Sequence, residues 1–244
     1  MPEAPALWAP LPWDTEFFGF RVGRVQGPHL TESEMAVIDD ECRRAGTRLL
    51  YFLSPGDDDA SAETAQRWGF RLVDVRVTLE RAVTRVPEAP ESRVVIRGHL
   101  GSDLDALRAI ARNSFTDSRY YHDPGFSRER CDALYEEWIT RDCAGRAEKV
   151  LVAETPLGIS GFLTCHHQAG TADGRIGLVG VAEAARGSGV GRALIRAAQA
   201  WFEGAGAKRV LVTTQGRNTG AQRSYQRAGF VTEATGIWFH KWFD

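Results

Sequence analysis

Apolar residues along this chain switch between two spacings, and the switches mark out its elements. "RLLYFLS" (48–54) is an apolar run of the length of a buried strand. "SAETAQRWGF" follows, with Ser61 placed as an N-cap and Gly69 as a stop, and predicts a helix. "RLVDVRVTLER" alternates apolar and polar at period two, which predicts another strand. A second series starts at residue 94: "VVIRG" reads as a strand, "DLDALRAIARNSF" and "SRERCDALYEEWITRDC" as helices. "KVLVAET" and "SGFLTCHHQ" read as strands joined through Pro156 and Gly158, with "GRIGLVGV" as the next. In "VGRALIRAAQAWFEGAG", apolar positions 190, 194, 197, 198, 201 and 202 share one helix face. Strand "KRVLVTT", helix "TGAQRSYQRAG" and strand "IWFHKWF" complete an α+β pattern.

The pattern breaks at "AVTRVPEAPESRV" (82–94), where two prolines and several charges read as a linker. This divides the chain into a smaller N-terminal domain over 1–84, a linker over 85–94 and a larger domain over 95–244. The two parts echo each other. "AQRWGFRLVDVRVTLER" from residue 65 resembles "YQRAGFVTEATGIWFHK" from residue 225, an offset of 160. Each is a helix end, a Gly-Phe and a strand, so the first part reads as a reduced, diverged copy of the second part's last units. Where Tyr225 stands, the first copy has Ala65. A helix end of this kind therefore does not require tyrosine.

Composition narrows the classes. Hydrophobic residues at 43% and charged ones at 25% are ordinary for a globular protein. A net charge of -2 gives no general pull toward nucleic acid or anionic membrane, so neither is expected as a partner. The four cysteines, Cys42, Cys131, Cys143 and Cys165, form no CxxC pair, and free thiols in a reducing cytosol are expected. His166 and His167 are neighbours on a strand and point to opposite faces, so no metal site is expected. The opening "MPEAPALWAPLPWDTEFFGF" has no basic start followed by an apolar core, and no apolar run approaches the roughly 20 residues of a membrane span. The expectation is a soluble, cytoplasmic protein.

The candidate chemistry lies in "VGVAEAARGSGVG" (179–191), with Gly187, Gly189 and Gly191 closely spaced just before a helix. Glycine admits backbone angles closed to other residues and lets N–H groups approach a ligand. At a helix N-terminus those groups and the helix dipole make an anion site, and Arg186 adds a cation. A phosphate or pyrophosphate is the natural guest. The plainer alternative is a turn that lets the helix pack tightly. A P-loop is excluded because no lysine follows Gly191. A dinucleotide fingerprint is excluded because the spacing is GxGxG and no acidic residue ends the next strand.

"V-x-x-x-x-R-G-x-G-V-G-x-x-L", Val181 to Leu194, resembles the central motif of the GCN5-related N-acetyltransferase (GNAT) superfamily. "N-x-x-A-x-x-x-Y-x-x-x-G-F", with Asn218, Ala221, Tyr225, Gly229 and Phe230, resembles its second motif, and the two cover residues 150–244. The resemblance implies a GNAT fold, a mixed, splayed central sheet flanked by helices, with a truncated GNAT-like domain before it. It implies acetyl-CoA as co-substrate, held by the backbone of Val179, Gly180 and Val181 and by the loop Arg186, Gly187, Ser188, Gly189, Val190 and Gly191, with Asn218 and Tyr225 also on the cofactor. Tyr225 would be the general acid beside the sulfur. Glu183 departs from the family, which often has proline there.

"WDTEFFGF" (13–20), "SRYYHDPGF" (118–126), "LYEEWI" (134–139), "RIGLVGV" and "TTQGRN" resemble the dTDP-fucosamine acetyltransferase branch. That branch acetylates the 4-amino group of a dTDP-4-amino-4,6-dideoxyhexose, which implies a small-molecule nucleotide-sugar acceptor. The polar loop Arg119, Tyr120, Tyr121, His122 and Asp123 is the expected acceptor site, and Glu154 and His122 are possible bases beside a water relay. The competing expectations are a protein amine or an aminoglycoside as acceptor, or a non-catalytic CoA-binding module. A homodimer is a further expectation.

Overall fold

The computed structural model describes residues 6–85, 94–168 and 170–244. The N-terminal part contributes β1 (Trp8–Pro10), α1 (Pro12–Phe18), β2 (Val22–Val25), α2 (Glu32–Arg44), β3 (Leu49–Pro55), α3 (Asp59–Arg67) and β4 (Arg71–Ala82). Then come β5 (Val95–Gly98), α4 (Leu104–Ser114), α5 (Arg128–Arg141), β6 (Lys149–Thr155), β7 (Gly158–His167) and β8 (Asp173–Val181). The chain ends with α6 (Val190–Gly204), β9 (Arg209–Gln215), α7 (Thr219–Arg227) and β10 (Val231–Trp242). Residues 86–93, most of the expected linker, lie outside the described residues.

The strands form one mixed sheet in the order β1-β2-β3-β10-β4-β9-β8-β7-β6-β5. At its centre the two parts of the chain exchange strands. β10 pairs with β3 and β4 and not with β9, while β4 reaches across to β9. The echo in the sequence is an echo in register. Leu49 opposes Trp242 and Pro55 opposes Gly236, just as Arg209 opposes Ala82 and Gln215 opposes Arg76, each pair carried onto the other by the 160-residue shift. The β4–β10 pair is its own image: Val75 meets Ile237 and Val77 meets Thr235 about Arg76–Gly236. Even the turns correspond. Gly56 N donates to Thr235 O and Gly216 N to Val75 O, while Asp58 and Asn218 cap α3 and α7 through the amides of Ser61 and Ala221.

The cap of α3 is thus Asp58, not Ser61. The Ser61 hydroxyl is taken by the Leu30 amide at 2.8 Å, so the cap falls to the next acceptor upstream. Helices α2, α3, α6 and α7 cover one face of the sheet. Leu194 and Phe202 of α6 pack with Leu79 and Val212 of the sheet, and Met35 and Ile38 of α2 with Phe52 and Phe239. On the other face α1, α4 and α5 bury Tyr51, Leu107, Leu134, Phe162 and Leu178. Among the described residues no helix is long and apolar enough to cross a membrane.

Candidate active site

Strands β8 and β9 run parallel and pair only from Asp173–Arg209 to Ile176–Val212. Beyond that point they part, and Gly177–Val181 faces Thr213–Gln215 across a gap in the sheet. A bulge in β8 marks the parting: Leu163 opposes Val179 while Cys165 opposes Ile176, so Gly177 and Leu178 together stand against Thr164. The Thr164 hydroxyl accepts from the Leu178 amide at 2.8 Å. Residue 177 must be glycine, since a Cβ there would lie 2.5 Å from His166 Nε2 and 2.6 Å from Thr164 Oγ1. The backbone of Val179 and Val181 therefore lines an opened seam.

The glycine loop stands at the head of this seam. A short 3-10 turn, Glu183–Ala185, leads to Arg186, and α6 starts from Gly189. Gly187 and Gly189 have φ of 77° and 93°, left-handed values that disfavour any side chain. A Cβ at either would meet nothing within 4 Å, and one at Gly191 would meet only Val181 Cγ2 at 3.8 Å. Tight packing is thus not why these positions are glycine. They turn the chain left-handed and leave the first-turn amides of α6 without an intrahelical acceptor, while the Ser188 amide turns back to Ala185 O at 3.4 Å. Arg186 is exposed and holds the loop to the end of α4 by donating to Asn113 O at 3.3 Å. Ser188 Oγ closes the turn on Ala185 O. The set fits a pyrophosphate at the loop and an extended amide-bearing arm in the seam.

Tyr225 lies on α7, packed with Phe230 at 5.9 Å between ring centroids and only 6% exposed. Burial raises its hydroxyl well above the ordinary value, so it is protonated at neutral pH. Ala65, its counterpart on α3, is fully enclosed in the other cluster. Asn218 uses its side-chain oxygen to cap α7 through the Ala221 amide at 3.0 Å.

The expected acceptor loop proves partly internal. Asp123 is 2% exposed, and its carboxylate accepts from Trp242 Nε1 and the Gly125 amide and lies 2.5 Å from His240 Nδ1. It pins the loop to β10. Tyr120 is 2% exposed among Phe18, Phe126 and Trp138, and Tyr121 donates to Asp132 at 2.6 Å. Arg119 lies over the rings of Trp238, Tyr120 and Tyr51 at 4.1, 4.4 and 5.0 Å, and donates to Tyr120 Oη. His122 is exposed; partial burial and Arg217 depress its pKa. Glu154 is tied to Arg97 at 3.0 Å on the β5–β6 edge.

One carboxylate on this face had no signal in the sequence. Asp74 of β4 opposes Trp238, is 3% exposed and has an Oδ1 without a partner. Burial pushes it up to about 6 against the pull of Arg217. Among the described residues no group of three His, Cys, Asp or Glu side chains is arranged to hold a metal.

An opened parallel seam under a left-handed glycine loop defines an acyl-CoA acetyltransferase, and the chain belongs to the acetyltransferase (GNAT) family, whose model matches residues 105–230. The protein is accordingly an acyltransferase of a family that uses acetyl-CoA. It is 26% identical over 234 residues to the dTDP-fucosamine acetyltransferase of Escherichia coli, across 95% of this chain and 96% of that one. It is 32% identical over 198 residues to the mycothiol acetyltransferase of Pseudarthrobacter chlorophenolicus, across 77% of this chain but only 59% of that one. In fold it is similar to the crystal structure of a GCN5-related N-acetyltransferase from Sphaerobacter thermophilus, with a TM-score of 0.67 at 19% identity over 96% of this chain and 76% of that one.

Proposed function

We propose that the protein transfers the acetyl group of acetyl-CoA to the amine of a nucleotide-linked amino sugar of the dTDP-4-amino-4,6-dideoxyhexose type. The observation that carries the acyl-transfer half is the parting of β8 from β9 below a glycine loop with open space at the Cβ positions of Gly187 and Gly189. The backbone of Val179, Gly180 and Val181 binds the pantetheine arm, and the amides from Gly187 to Gly191 bind the pyrophosphate beside Arg186. The acceptor's neutral amine attacks the thioester carbon. A C–N bond forms, the C–S bond breaks, the amine passes a proton to a water relay, and Tyr225 gives one to the leaving thiolate and regains it from solvent. Burial keeps the Tyr225 hydroxyl protonated at neutral pH, so a proton is there to give.

The acceptor half is supported by similarity over nearly the whole of both chains to dTDP-fucosamine acetyltransferase. The mycothiol acetyltransferases match a smaller share of their own length. Incubation with acetyl-CoA and a panel of amines tests the reading: nucleotide 4-amino-6-deoxy sugars, the unacetylated precursor of mycothiol and lysine peptides. We expect turnover on the first group. Turnover on peptides or the mycothiol precursor alone would refute it.

A further inference from the structure

At the foot of the β8–β9 parting, on the sheet face opposite α6, a cavity of about 500 Å³ opens. Arg76 and Thr78 of β4, Arg175 of β8, Thr213 of β9, Arg209 and Glu233 line it. Its charge is uneven. Arg209 is met by Glu80, Asp173 and Glu233 at 2.8, 2.9 and 3.1 Å. Arg76 and Arg175 form no ion pair among the described residues. Arg76 donates only a long bond to Thr213 Oγ1 at 3.4 Å, and its buried Nε has no partner.

The same face carries two further cations. Arg24 of β2 and Arg119 both lie over Trp238, at 5.3 and 4.1 Å, and neither forms an ion pair among the described residues. Trp238 opposes Asp74, two residues along β4 from Arg76. Burial, then Arg24, Arg175 and Arg119 in turn, depress the pKa of Arg76, and burial with Arg119 depresses that of Arg24. Among the nearby carboxylates Glu233 offsets part of this field. Glu233 is held by Arg209, and burial raises the pKa values of Asp74 and Asp14. Mutually repelling guanidiniums cost stability unless an anion joins them, and their forked donors suit phosphate oxygens.

We propose that Arg76 and Arg175, with Arg24 behind them, form a second anion site, separate from the glycine loop, that binds the diphosphate of the acceptor. The inference rests on the amino-sugar reading above and gives that acceptor its anchor. It places the anchor at the foot of the seam, on the side of the sheet away from α6.

Calorimetry with thymidine diphosphate, in saturating CoA so that the loop is occupied, tests the site without turnover. We expect one equivalent to bind. Arg76→Gln and Arg175→Gln should each weaken it roughly 10-fold or more, as expected for losing a charge-assisted contact, with CoA affinity unchanged and the melting temperature not lowered as controls on folding. No binding in saturating CoA, or undiminished binding in both variants, would overturn the site. A wild-type protein that binds thymidine diphosphate in this way but acetylates no nucleotide amino sugar keeps the site and loses the reading. Acetylation of such a sugar with unchanged KM in both variants does the reverse.

Discussion

Two buried ionisable side chains, Tyr225 and Asp74, set what single substitutions should do. Tyr225→Phe keeps the ring packed on Phe230 and removes only the proton donor. Acetyl-CoA should still bind, while kcat falls by about 10²–10⁴-fold, the usual worth of general acid catalysis. Single-turnover kinetics checks this, and a Phe variant with normal kcat would return Tyr225 to the core. Asp74 behaves oppositely. Its pKa rises from 3.8 to about 6 on folding, so the folded state holds the proton more tightly. The stability this provides is complete below pH 4 and is lost as pH rises through 6. Asp74→Asn has no such loss, so its melting temperature should gain on the wild type steadily from pH 4 to pH 7. A constant difference across that range would show that Asp74 titrates normally. At Gly189, where φ is 93°, Asp adds both a strained backbone and a negative charge in the anion site. Gly189→Asp should abolish CoA binding by calorimetry, at a stability cost of about 1–2 kcal/mol.

At the scale of elements, periodicity revealed what was long and two-sided. The apolar face of α6 and the alternation of β4 could be read directly from the chain. The N-terminal elements could not. β1 and β2 have three and four residues, too short for any period, and α1 is about two aromatic-rich turns ending at Gly19, φ 78°. α2 does carry a local signal, since Thr31 and Glu34 form a capping box at its start. The loop 119–123 looked polar because its partners, Trp242, His240 and Trp238, are far away in sequence on β10. The arginine group was invisible for the same reason. Positions 24, 76, 119 and 175 have no spacing in common, and only the strand order, with the 119–123 loop pinned to β10, brings them together. The α3 cap shows how context redirects a local rule. Asp58→Ala should cost about 1 kcal/mol in denaturant melts, while Ser61→Ala should act by freeing the Leu30 amide rather than by uncapping the helix.

For the molecule as a whole, the exchanged strands matter most. β10 finds both its neighbours, β3 and β4, in the N-terminal part, and β9 has β4 on one side. A fragment of residues 94–244 would thus have its last strand unpaired and one edge of β9 bare. We expect it to aggregate when made alone, and to regain CoA binding and a sharp melt when co-expressed with residues 1–85. A soluble, cooperatively melting 94–244 fragment would contradict this. The same topology orders events on the ribosome. β3 and β4 emerge early, but β10, the strand that joins them, follows β4 by roughly 150 residues, which at about 5–20 residues per second is a wait of roughly 8–30 s. For that time two apolar strand edges stand open in the nascent chain. The pairing that binds the halves so firmly in the finished enzyme makes its birth slow and dependent on being shielded.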